Sequence, residues 1–364
     1  MEPRDLSDHV AYTAGRGIEE VARELCRDPD EFVKLASNEN PFGPSPKAAA
    51  AIKRAADAIH QYPKASHADL TARLARRWDL SADQVWLANG GDGAIDYLSR
   101  AMLDPGDAVL VPSPGFAYYG MSARYHHGTV EEYALPKGED FPLEARTVLD
   151  AYDGERIVYL TSPHNPSGGR FTLEAVRRIA RKTDEQTLVV VDEAYGEFTE
   201  MPSAVRFVRD RDDVAVIRTF SKAYGLAGLR LGYALVPAEW ADAYARVNTP
   251  FAASELACRA GLAAIEDVEF VERTVATVES AREYLYDHLD APTWESHGNF
   301  VLAEVGAASA VSAALQRRGI IVRDCTSFGL PDCVRVTCGT MADTRRVVSE
   351  LNDILAERDE VGAE

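Results

Sequence analysis

Lys222 is the only lysine after Lys182, in a half-chain that otherwise writes its strong positive charges as arginine. An arginine stays protonated inside a protein, whereas a lysine amine can be tuned to attack carbonyls. Lys222 therefore reads either as a surface ammonium or as a nucleophile, and its surroundings must decide. Upstream, Asp192 ends the apolar run "TLVVVD", and Tyr195 follows three positions later. A carboxylate there is either an ordinary buried strand-end group or the partner of a protonated heterocycle. Lys222 lies thirty residues further on, one β-α-β crossover away, so neighbouring strand ends can bring both side chains to one ligand.

The stretch "ANGGDGAID" (88–96) also reads two ways. It is a tight turn, or it is an anion cradle in which main-chain N–H groups converge at a helix N-terminus. Ser221 and Arg230 could supply a hydroxyl and a charge-assisted contact to the same anion. A lysine that forms a Schiff base, an aspartate for a ring nitrogen and a phosphate grip together suit pyridoxal phosphate.

The elements that must position these residues alternate between strand and helix. "DAVLVPSP" (107–114), "RIVYLTSP" (156–163), "TLVVVDEAY" (187–195) and "VAVIRTFS" (214–221) are short runs rich in Val and Ile. "TLEAVRRIARKTD" (172–184) instead carries Leu173, Val176 and Ile179-Ala180 on one helical face. This predicts an α/β fold with a mostly parallel sheet covered by helices, binding its ligand at the carboxyl ends of the strands. After about residue 250 the pattern becomes one long or broken helix (253–289), then strand 298–305, helix 308–319, strands 320–324 and 333–339, and a closing helix from about Asp343. The expected division is a large cofactor-binding domain over 41–252. Residues 1–40 and 253–364 would form an N-terminal arm and a smaller α+β domain.

Composition narrows the function classes. The 364 residues are 46% hydrophobic, and their formal net charge of −19 opposes binding to nucleic acid or to an anionic membrane surface. No apolar run reaches the length of a membrane span, and "MEPRDLSDHV" lacks the regions of a signal peptide, so a cytoplasmic location is expected. Five cysteines without a C-x-x-C pair, and the tandem His126-His127 without helical ligand spacing, give no metal site or disulfide framework. Seven lysines against thirty-two arginines on so acidic a chain suggest a halophilic protein, with screening by salt offsetting carboxylate repulsion.

"SPHNPSG" (162–168), "DEAY" (192–195) and "SKAYGLAGLRLGY" (221–233) resemble, in order and spacing, the motifs of fold-type I pyridoxal-phosphate aminotransferases. More narrowly, the chain resembles the histidinol-phosphate aminotransferase family from end to end. The further matches are "YTAGRGIEEVARE" (12–24), "KLASNENPFGPSP" (34–46), "QYPKAS" (61–66), "GGDGAID" (90–96), "IIVRDC" (320–325) and "VRVTCGT" (334–340).

The resemblance implies ping-pong transamination between glutamate and imidazole acetol phosphate, with pyridoxal 5′-phosphate covalently held by Lys222. By the same match, Asp192 would keep the ring nitrogen protonated, and Tyr195 and Asn165 would bond the phenolic oxygen. Phe116 would stack on the ring, where the family often has tyrosine. The backbone of Gly91, Asp92 and Gly93, with Ser221 and Arg230, would hold the phosphate, joined by Tyr62 of a neighbouring subunit in a homodimer with shared sites. Arg335 would bind the substrate's anionic group and Arg323 the substrate phosphate, with Tyr12 and Asn38 completing the pocket. "CGTMADTR" (338–345) departs from the family around Met341, at the pocket rim. Threonine-phosphate decarboxylases and aromatic amino-acid aminotransferases share this fold and ring-binding set and are the rival readings.

Overall fold

The run Leu188-Val189-Val190-Val191 has no polar alternation, and all five residues of the strand it begins are buried. Such a strand needs cover on both faces, and each fully buried Val or Leu side chain contributes about 1.5–3 kcal/mol. The computed structural model describes residues 6–362 except 8, 10 and 14, so the extreme ends of both expected terminal units lie outside it.

Strand β1 (Val33–Leu35) precedes seven strands of one sheet. These are β2 (Val85–Asn89), β3 (Ala108–Ser113), β4 (Thr129–Ala134), β5 (Ile157–Thr161), β6 (Leu188–Asp192), β7 (Val214–Thr219) and β8 (Leu231–Leu235). The sheet runs β2-β8-β7-β6-β5-β3-β4. Only β8 opposes the rest, pairing antiparallel with both β2 and β7. Helices cover both faces, as the mostly parallel pattern requires. In helix Leu173–Lys182 the buried residues are Val176, Ile179 and Ala180, and Thr172 caps its start by accepting from the Ala175 N–H at 3.1 Å.

A second sheet has the order β1-β10-β11-β9, from β9 (Phe300–Glu304), β10 (Ile320–Asp324) and β11 (Cys333–Thr337). Here the N-terminal arm joins the C-terminal unit, because β1 pairs parallel with β10. The expected long or broken helix over 253–289 is a broken one, with the helices Glu255–Ile265 and Val268–His288. Ala257, Cys258, Ala260 and Ala264 of the first lie in the core of the large sheet. That helix, grouped with the smaller unit on sequence grounds, thus packs with the larger one. Val278, Ala281 and Leu285 of the second helix join the core of the smaller sheet.

Candidate active site

Strands β3, β5, β6 and β7 all run the same way and end at one edge of the large sheet. The turns that follow them carry Phe116, Asn165, Tyr195 and Lys222. β2 leads directly into helix Gly90–Met102, whose N-terminus opens at the same edge. A cavity of about 440 Å³ lies here, lined by Tyr12, Asn38, Gly91, Asp92, Phe116, Asn165, Asp192, Tyr195, Ser221, Lys222, Arg230, Arg323 and Arg335. Two expected residues do not line it. Gly93 is not part of the lining, and a Cβ there would face Ala88 and Asn89. Tyr62 is 74% exposed and stacks on Phe251 with ring centroids 4.2 Å apart.

Lys222 Nζ donates to the Ser37 carbonyl at 3.0 Å and lies 5.7 Å from the centre of the Tyr195 ring. Burial lowers its pKa to about 8, with Arg335 and Arg230 acting in the same direction and Glu39 and Asp92 opposing. Asp192 is 6% exposed. One carboxylate oxygen accepts from Tyr119 Oη at 2.7 Å and the other from the Ala194 N–H at 2.9 Å. Burial pushes its pKa up to about 6; both hydrogen bonds pull it down, while Asp92 and Glu193 push it further up. The site therefore holds an amine shifted toward its neutral form and a carboxylate that is still ionised at neutral pH.

The anion-binding end is built from backbone. Gly90 has φ +80°, and a Cβ there would lie 2.5 Å from Arg230 Nη2. The glycine lets the helix start close beneath the guanidinium, which reaches Asp92 Oδ2 at 2.8 Å. Ser221 is held by Thr219, whose Oγ1 accepts from the Ser221 N–H at 3.1 Å and lies 3.0 Å from its Oγ. The N–H groups of a first helical turn, which have no acceptor within their own helix, together with a hydroxyl and an arginine form a phosphate-type site.

At the opposite wall Arg323 and Arg335 are direct cross-strand partners on β10 and β11. Like charges in that register repel, so a bound anion between them would relieve a cost. Arg335 is 5% exposed and donates to the Ala36 carbonyl at 2.9 Å and to Asn165 Oδ1. Among the described residues its Nε has no partner, and burial lowers its pKa below the ordinary value. Arg323 donates to the Thr13 carbonyl and Ser327 Oγ, each at 2.9 Å, and lies over the Phe328 ring. Asn38 adopts φ +54° and donates from Nδ2 to Tyr195 Oη at 2.9 Å. Motif matching did not single out Tyr119, Thr161, Ser37 or Glu39, which also line the cavity.

One cavity thus combines an anion-binding helix start, a buried ionised carboxylate, an aromatic wall at Phe116 and an amine. This donor set suits a phosphorylated pyridine aldehyde. With the fold, it defines the class: a pyridoxal-phosphate enzyme of the aminotransferase architecture. The model of the family "Aminotransferase class I and II" matches residues 30–351, and the chain belongs to that family.

Within the family it falls among the histidinol-phosphate aminotransferases. It is 70% identical over 357 residues to the enzyme of that name from Haloarcula marismortui, covering 98% of this chain and 99% of the relative. It is 42% identical over 352 residues to the one from Symbiobacterium thermophilum, covering 95% and 96%. The crystal structure of histidinol-phosphate aminotransferase from Sinorhizobium meliloti in complex with pyridoxal-5′-phosphate matches with a TM-score of 0.86 at 26% identity, covering 97% of each chain. The salt-loving relatives agree with the acidic, arginine-rich composition. No helix among the described residues is long and apolar enough to cross a membrane.

The glycine at position 90 gives a direct check on the anion end. Gly90→Ala places a side chain at positive φ and displaces Arg230, each costing on the order of 1 kcal/mol. Pyridoxal-phosphate affinity, measured by fluorescence titration of apoenzyme, is expected to fall roughly tenfold or more. Unchanged affinity would separate Arg230 from the phosphate.

Proposed function

We propose that this chain transfers the amino group of L-glutamate to imidazole acetol phosphate, yielding 2-oxoglutarate and L-histidinol phosphate in histidine biosynthesis. The observation that carries the reading is the cross-strand pair Arg323 and Arg335 facing the cavity that contains Lys222. Both substrates are anionic, and both must bring an α-carbon to the same amine.

Pyridoxal phosphate, when bound, supplies the electron sink for the α-carbon bond that breaks. The chain's own residues do the rest. Lys222 Nζ holds the cofactor covalently in the resting enzyme, then accepts and returns the α-carbon proton. Asp192 holds a proton on the ring nitrogen. Tyr195 donates to the phenolic oxygen while its own oxygen is held by Asn38. Asn165 commits its Oδ1 to Arg335, which leaves its amide nitrogen as the donor end. Gly91, Asp92 and Gly93 N–H groups, Ser221 and Arg230 take the cofactor phosphate, and Phe116 covers the ring.

Arg335 binds the carboxylate of glutamate, Arg323 the phosphate of the second substrate, and Tyr12 and Asn38 close the pocket. The working unit in this reading is a cytoplasmic homodimer in which the exposed Tyr62 reaches the neighbouring subunit's phosphate end.

Arg323→Met tests the assignment. KM for histidinol phosphate is expected to rise roughly 10–100-fold, the worth of a charge-assisted hydrogen-bond pair, while KM for glutamate moves less than about threefold. Equal changes would count against the phosphate role. Carbon dioxide released from threonine phosphate by the unaltered enzyme would favour the decarboxylase instead.

A further inference from the structure

Asp192 can serve a ring nitrogen only if its carboxylate is held at one angle and stays charged at a position only 6% exposed. The Ala194 N–H fixes Oδ1 at 2.9 Å. Oδ2 is fixed by Tyr119 Oη at 2.7 Å. Tyr119 is fully buried, on helix Tyr118–Tyr125, and lies flat against Tyr159 with centroids 4.5 Å apart and planes 15° from parallel. That stack removes the swing about its side-chain torsions. Behind it, Thr161 Oγ1 at the end of β5 lies 2.9 Å from Tyr119 Oη. Thr161 Cα pairs directly with Asp192 in the β5–β6 ladder. Threonine and carboxylate are therefore joined twice, through the sheet and through the phenol.

The proton inventory gives this chain a direction. An ionised carboxylate only accepts, so Tyr119 must spend its single proton on Asp192. Its oxygen then accepts from the Thr161 hydroxyl. With Asp192 charged, both bonds must run in the order Thr161 to Tyr119 to Asp192, so the charge is met by one O–H donor backed by a second. The other charged or titratable groups acting on Asp192 do not share this task. Asp92, at the helix start, and Glu193, next along the chain, both work against its charge, and Tyr195 and Tyr159 are neutral neighbours.

We propose that Tyr119, backed by Thr161, is the positioning residue for Asp192: it aims the carboxylate and keeps it ionised for the cofactor's ring nitrogen. This inference rests on the assignment of Asp192 to that nitrogen. A phenol hydrogen-bonded to a buried carboxylate also raises its own pKa, in the direction seen here, where desolvation is the larger cause.

The test uses Tyr119→Phe and Thr161→Val, with Asp192→Asn as the reference, in molar potassium chloride. Infrared difference spectra of the apoenzymes read the carboxylate directly, without turnover. In Tyr119→Phe the Asp192 carboxyl should protonate at a pH at least one unit higher than in the unaltered protein. In Thr161→Val the shift should have the same sign and be smaller. With pyridoxal phosphate bound, the acid limb of kcat should move up in the same order, while KM for glutamate stays within about twofold.

If Tyr119→Phe folds and its carboxyl titrates as before, the proposal fails. Should Tyr119→Phe not fold, an unshifted carboxyl in Thr161→Val overturns it equally. If Asp192→Asn retains full activity, the assignment of Asp192 itself is lost, whatever the tyrosine does. If Asp192→Asn is inactive and both supporting variants are indistinguishable from the unaltered protein, only the role of Tyr119 is lost.

Discussion

Lys222→Ala is expected to reduce turnover below roughly one ten-thousandth of the unaltered rate, because one substitution removes both the covalent anchor and the proton carrier. The protein should still fold. Nζ makes one hydrogen bond to a backbone carbonyl, and removing a half-buried amine from beside two arginines relieves repulsion. Pyridoxal phosphate should still bind through the phosphate end, but the visible absorbance of the lysine-linked form should be absent.

The pH dependence of reconstitution follows from the same amine. An ordinary lysine at pH 7 has only about 0.03% of its amine unprotonated, whereas one titrating near pH 8 has about 10%, a gain of roughly 300-fold in nucleophile. The neutral fraction grows as pH rises, so the rate at which apoenzyme captures the cofactor should climb from pH 6 and level off above about pH 8. Stopped-flow absorbance at several pH values reads this directly. A rate still climbing tenfold per unit at pH 9.5 would mean that burial has not lowered the amine, and a Lys222→Ala protein with normal spectrum and turnover would remove Lys222 from the mechanism.

Much of this site is legible in the chain itself, for physical reasons that also explain what is not. β3, β5, β6 and β7 are mostly apolar runs because both faces of a parallel sheet are covered, and their ends are where the motifs stop. Lys222 and Asp192 are local features of those ends, and the glycine turn is a local feature of the end of β2, so each is legible where its strand stops.

Tyr119 is different. It stands in "FAYYG" beside Tyr118, and the two hydroxyls go to different carboxylates: Tyr118 to Asp96 at 3.0 Å and Tyr119 to Asp192 at 2.7 Å. Nothing in two adjacent tyrosines says which one turns inward; the packing of helix Tyr118–Tyr125 decides. Long-range pairings are similarly hidden. β1 pairs with β10 across almost the whole chain, and that pairing brings the segment 36–39 beside Lys222 and Arg335. Helix Glu255–Ile265 is rich in alanine and nearly featureless by periodicity, so its attachment to the larger core emerges only from contacts such as those of Ala257 and Ala260.

Arg335→Met should separate stability from activity in opposite directions. A guanidinium 5% exposed is an expensive group to bury, and among the described residues Arg335 has no carboxylate partner. Arg218 makes the contrast: it is equally buried, at 4%, but is paired with Glu193 at 2.7 Å and with Glu197 at 2.5 Å. Arg218 holds structure; Arg335 is positioned for a charge that arrives from outside.

Exchanging Arg335 for an apolar side chain of similar length deletes the desolvation cost and retains packing against Phe300, at the loss of hydrogen bonds to Ala36 and Asn165. The thermal midpoint of the apoenzyme in molar salt is therefore expected to be no lower than that of the unaltered protein. Activity should move the other way. Losing a buried charge-assisted contact to substrate costs about 2–5 kcal/mol, or roughly 30- to 5,000-fold in kcat/KM, and glutamate should suffer at least as much as the phosphorylated substrate. That order is the reverse of the one expected for Arg323, so the two variants together assign each arginine its anion. A marked fall in melting temperature with kcat/KM for glutamate preserved would instead make Arg335 a structural cation, and the cavity's anion would have to be bound by Arg323 alone.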